Sequence, residues 1–135
     1  MMNKRELSKY YYITLEIREL EERIAVVENT IIGSSKLTGM PRGSGKSDPV
    51  NKTTELLITL KSKLEKRKAE AMVKLLQIEE YISKIDESEV RLIFSKRYIE
   101  LKKWEQIANE LCMSLRSVHR KHSEYLERNK YDREN

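Results

Sequence analysis

The four glycines and two prolines of this chain all fall between Gly33 and Pro49. These are the strongest local breakers of regular structure. Their confinement predicts one helix, a loop over residues 33–49, and helices again to the C-terminus. The fold class that follows is all-α: a long antiparallel, coiled-coil-like helical hairpin over 1–85, then a three-helix domain over 86–135.

The first helix, over about 4–32, carries a seam. Tyr10, Ile13, Ile17, Leu20, Ile24, Val27 and Ile31 recur in alternating steps of three and four, a heptad pattern that needs a partner helix. The second, over about 49–85, offers Leu57, Leu60, Leu64, Ala71, Leu75, Ile78, Ile82 and Ile85. Its stripe weakens at Arg67 and Lys68, and the Lys61–Lys68 cluster reads as a solvated face. Asp48 can cap this helix, with Pro49 in the first turn, where a missing N–H is harmless. At 1.5 Å per residue the two helices would be ~44 and ~54 Å long. The apolar end at Ile78, Ile82 and Ile85 would then outrun the first helix and need another cover. Pairing within one chain and pairing between chains in a homodimer both satisfy the pattern.

The loop contains GMPRGSGKSD, residues 39–48, which invites comparison with a phosphate-binding loop. Gly45, Lys46 and Ser47 match the end of G-x-x-x-x-G-K-S/T, but position 40, where the first glycine belongs, is Met40. No apolar strand precedes it, so the chemistry of that motif lacks its context. Composition narrows function further. A net charge of +5 favours an acidic partner, nucleic acid above all. The single cysteine, Cys112, rules out a disulfide framework within the chain and suits a reducing compartment. No segment reads as membrane-spanning, and the expected location is the cytoplasm. Paired carboxylates, a catalytic triad and a metal set are all missing. A non-enzyme with no cofactor and no metal is therefore expected. Cys112, His119 and His122 are too few for a structural zinc site.

The last fifty residues carry the functional signal. Asp86, with Glu89 three residues on, has the form of a capping box, ahead of the apolar set Val90, Ile93, Phe94 and Tyr98. After the break IELKK come WEQIANEL and a helix beginning near Ser114, a good N-cap. In this register Trp104 opens a helix-turn-helix and Ile107 and Leu111 point inward. Ala108 falls where the helices cross, Cys112 and Met113 make the turn, and Val118 packs from the second helix. Cys112 takes a place usually held by glycine, because one turn residue there has positive φ. The second helix would be the recognition helix, and Ser114, Arg116, Ser117, His119, Arg120 and Lys121 are the candidate DNA-binding residues. Arginine can address guanine in a bidentate manner, serine and histidine are adaptable donors, and lysine meets the backbone.

Residues 85–126 resemble region 4 of sigma-70-type factors, through Arg97, Tyr98, Trp104, Ile107, Ala108, Ser114, Arg116, Ser117 and Val118. The chain as a whole resembles small phage- and prophage-encoded regulators of Gram-positive bacteria, which join a helical N-terminal half, a G-M-P-R-G-x-G-x-S-D loop and a sigma-like helix-turn-helix. The resemblance implies a transcriptional activator of late phage genes that binds double-stranded DNA and works with host RNA polymerase. Two positions depart from the pattern: Lys103 stands where serine is usual, and Leu115 occupies a usually polar place. The competing reading is a small terminase-like DNA-packaging subunit, which also combines a helix-turn-helix with oligomerising helices. A third is a coiled-coil adaptor.

Overall fold

The structure, a computed structural model, describes residues 2–37 and 49–134. It is all-helical among them: α1 (Lys4–Leu37), α2 (Pro49–Ser83), α3 (Ser88–Phe94), continued by a π-helical turn (Ser95–Ile99), α4 (Trp104–Glu110) and α5 (Leu115–Glu134). The GMPRGSGKSD segment and the capping role of Asp48 lie outside the described residues. No helix among the described residues is long and apolar enough to cross a membrane.

The first helix is longer than its glycine suggested. Gly33 lies inside α1, which runs on to Leu37. An interior glycine costs a helix only about 1 kcal/mol relative to alanine, and no proline follows until Pro41. With 34 and 35 residues, α1 and α2 are nearly equal in length. The overhang expected at the end of α2 is therefore not a matter of length.

The chain divides into two compact units. One spans Ile13–Glu70 and is the helical pair itself. Leu20 and Ile24 of α1 bury against Leu60 of α2, with Val27, Leu57 and Leu64 packed around them. Ion pairs flank this seam, Glu28 with Lys61 at 3.3 Å and Glu16 with Arg67 at 2.9 Å. As numbering rises along α1 the partners fall along α2, so the helices are antiparallel within one chain. Arg67 interrupts the apolar stripe because it serves Glu16 and Glu70 instead; these two carboxylates raise its pKa, led by the Glu70 hydrogen bond. Such exposed pairs are screened by solvent and worth little each, so the apolar seam does most of the holding.

The other unit comprises Met1–Tyr12 and Ala71–Asn135. Its main core gathers Leu7 from α1, Ile78, Tyr81 and Ile82 from α2, Ile85, Val90 and Phe94, and Tyr98 from the π-helical turn. Tyr125 and Leu126 of α5 pack against it. The Ile78–Ile85 stripe is thus covered by the helices that follow it and by Leu7, which is 1% exposed. A smaller core of Ile93, Ile107, Ala108 and Val118, ringed by Trp104, Leu111 and Met113, joins α3, α4 and α5.

One expected cap is not made. The N-cap of α3 is Glu87, with no side-chain cap hydrogen bond, rather than Asp86. Glu89 is drawn away to Lys121 of α5. The segment is anchored instead by Arg91, whose guanidinium donates to the Ile85 carbonyl at 2.8 Å and to the Ser88 hydroxyl at 3.3 Å.

Candidate nucleic-acid interface

The connection from α4 to α5 is set by backbone hydrogen bonds. Met113 N–H donates to the Ala108 carbonyl at 2.9 Å and Cys112 N–H to the Asn109 carbonyl at 3.3 Å. These two bonds make a Schellman termination, whose residue after the C-cap is left-handed and usually glycine. Here it is Cys112, with φ 53°. The accompanying apolar contact is present, since Met113 packs on the cluster that contains Ala108. Ser114 then starts α5: its hydroxyl accepts from the Ser117 N–H at 3.1 Å and lies 2.9 Å from the Ser117 hydroxyl. Ile107, Ala108 and Val118 are all buried in one cluster, where Ala108 is packed among larger apolar side chains.

Trp104, the first residue of α4, organises the surroundings. The Arg97 guanidinium lies 4.6 Å from its ring centroid and donates to the Lys102 carbonyl at 3.0 Å. His119 and His122 approach the same indole at 4.7 and 4.8 Å between centroids. His122 is buried and shares a 2.5 Å hydrogen bond with the Tyr98 hydroxyl. Burial, helped by the nearby charges of Lys4, His119 and Arg97, lowers its pKa to about 4. The same burial raises that of Tyr98. Both are therefore neutral at physiological pH, a pairing suited to a core.

The six candidate residues separate by role. Arg116 and Arg120 are exposed on the outer face of α5 and make no ion pair among the described residues. Ser114 and Ser117 sit at the start of the same helix, their hydroxyls engaged with each other. His119 is exposed but rests on Trp104. Lys121 faces α3 and pairs with Glu89. Five of the six thus gather on or near the solvent side of the first turns, and the sixth is committed to a structural partner.

The loop before α4 has its own charge pattern. Lys102 binds Glu110 at 2.6 Å and Glu100 at 3.5 Å, and Lys96 lies 3.8 Å from Glu110. The Lys102–Glu110 hydrogen bond raises the pKa of the lysine and lowers that of the acid. Lys103, next in sequence, is exposed; its backbone is the N-cap of α4, and its side chain makes no cap hydrogen bond. Leu115 is 39% exposed. Sequence reasoning missed the Arg97–Trp104 stack and the Tyr98–His122 bond, because neither follows from spacing within one helix. Among the described residues, no group of three or more His, Cys, Asp and Glu could hold a metal.

No curated protein and no solved structure matches the chain. Residues 31–128 match the family described as "Protein of unknown function (DUF1492)". That match takes in α2, α3, α4 and most of α5, well over half of the chain, and this protein belongs to that family.

Proposed function

We propose that this chain is a sequence-specific binder of double-stranded DNA that lays the first turns of α5 in the major groove and acts as a sigma-like activator of late phage genes with host RNA polymerase. One observation carries the reading. A Schellman turn and the Ala108–Val118 crossing fix α5 against α4, and that packing leaves Arg116 and Arg120 bare on the outer face. In a helix-turn-helix the N-terminal residues of the second helix meet base edges. Arginines there are suited to guanine and to phosphate. The antiparallel pair of α1 and α2 has no part in base contact on this reading.

The test is footprinting on the phage's own early-to-late promoter region, with and without host polymerase, followed by Arg116→Ala and Arg120→Ala in the same fragment. Each substitution should cost about 1–3 kcal/mol of specific binding while helical circular dichroism is kept. A folded double variant that protects the same bases with undiminished affinity removes the recognition helix from α5.

A further inference from the structure

A groove on the Met1–Tyr12 and Ala71–Asn135 unit lies between the first turns of α1 and the loop before α4. Ser8, Tyr11 and Tyr12 line one side, and Arg97, Leu101 and Lys103 the other, with Tyr98 at its floor. No carboxylate is among the lining residues. This sets it apart from the grooves beside Tyr125 and along α1 and α2, which hold Glu87 and Glu124, Glu6 and Glu80, or Glu16 and Glu70.

The local backbone accounts for the charge. Leu101 adopts φ 60°, in the left-handed region, and the two lysines that follow it diverge. Lys102 goes to Glu100 and Glu110, which neutralise it. Lys103 goes to solvent at the groove. Arg97 is fixed by the Lys102 carbonyl and the Trp104 ring, so its positive charge is held in place. Opposite stand two exposed tyrosines, Tyr11 at 44% and Tyr12 at 60%, with their rings packed edge to face at 5.4 Å. A surface of cations and phenol hydroxyls without acids suits an anion with several oxygens.

We propose that this groove is a second DNA contact, in which Lys103 and the Tyr12 hydroxyl grip phosphodiester oxygens of one strand. The inference rests on the proposed function. It also follows the chain's own layout. In a helix-turn-helix the first helix crosses the sugar–phosphate backbone, and Lys103 immediately precedes α4. Arg97 and His119 both contact Trp104, so the groove and the first turns of α5 adjoin one indole. The tyrosines of α1 thereby extend the DNA footprint beyond the three-helix domain.

The experiment measures affinity of the full chain for the footprinted fragment and for an unrelated duplex by fluorescence anisotropy over a range of salt. Lys103→Ala with Tyr12→Phe should weaken both complexes by a similar factor, about five- to tenfold, and reduce the slope of log affinity against log salt by about 1. Lys103→Arg should restore the slope. Melting should be unchanged, because Lys103 offers only its backbone to the fold. If the parent binds DNA and the double variant matches it in affinity and slope, the groove makes no phosphate contact and the α5 reading stands alone. That holds also if the variant loses only polymerase-dependent transcription, which would assign the groove to a protein surface. A parent that binds neither duplex overturns both readings together.

Discussion

Cys112→Gly should stabilise this protein. Its φ of 53° places a residue bearing a Cβ in the left-handed region, where the clash with the following carbonyl costs roughly 1–2 kcal/mol. Glycine relieves that clash but loses more freedom on folding, by roughly 0.5–1 kcal/mol. The Cys112 side chain is exposed, so its removal forfeits no buried contact. The net gain is therefore about 0.5–1 kcal/mol, or ~2–4 °C in Tm for a chain of this size. Three variants separate the causes in reduced buffer. Cys112→Ala keeps the Cβ and removes the thiol, and should melt with the parent. Cys112→Val adds a β-branch in the same region and should melt lower. Only Cys112→Gly should melt higher, with DNA affinity unchanged. A glycine variant no more stable than the alanine variant would refute the argument, because it would mean that the turn stores no strain at this position.

Ala108→Leu should overpack the crossing of α4 and α5 and destabilise it by roughly 1–3 kcal/mol; parent-like urea unfolding would show that the crossing has room. The folded pKa of His122, about 4, lies below the ordinary 6.5. The unfolded chain thus binds the extra proton first, and stability falls as pH drops from about 6.5 toward about 4, by up to ~3 kcal/mol in all. His122→Gln should flatten that limb of a stability–pH curve, and an unaltered limb would assign it to other groups. Ile78 and Ile82 are 0% and 5% exposed. Replacing both with Asp should collapse the core they share with Leu7 and Phe94, read as a large fall in Tm; a melt at the parent temperature would contradict that burial.

Much of the fold could be read because side-chain period is a local property. Every seam position from Tyr10 to Ile31 is buried or half-buried, as the steps of three and four require. The pattern also continues one step back to Leu7, the most buried of the described residues of α1, which a seam opened at Tyr10 overlooks. Glycine misled at one point. Gly33 lies well ahead of the first proline, and a single glycine is a weak stop for a long helix. The π-helical turn at Ser95–Ile99 has no sequence mark, and its Glu100 N–H bond to the Ser95 carbonyl fits no helical period of three or four. The site divides the same way. Cys112 could be placed because the motif's register puts one residue in glycine's position. The partner of Lys121 could not, since Glu89 is on another helix and only the packing of α3 on α5 brings the two together.

α5 gains its fixed pose from two cores rather than one. Val118, near its start, belongs to the cluster of Ile93, Ile107 and Ala108. Tyr125 and Leu126, two turns later, pack on the cluster of Leu7, Ile78 and Phe94. His122 lies between them and touches both, its ring tilted 4.9 Å from Phe94 and edge-on 4.8 Å from Trp104. A helix held at one point can pivot; one held at two points along its inner face cannot, short of breaking a core. The bare arginines at 116 and 120 therefore keep their aim without ion pairs of their own, and the hydrogen bonds they could make remain available for a ligand. A buried neutral imidazole is the right part for the middle position. It fills an aromatic cage as phenylalanine would, yet its bond to the Tyr98 hydroxyl satisfies two polar groups that would otherwise be buried unpaired.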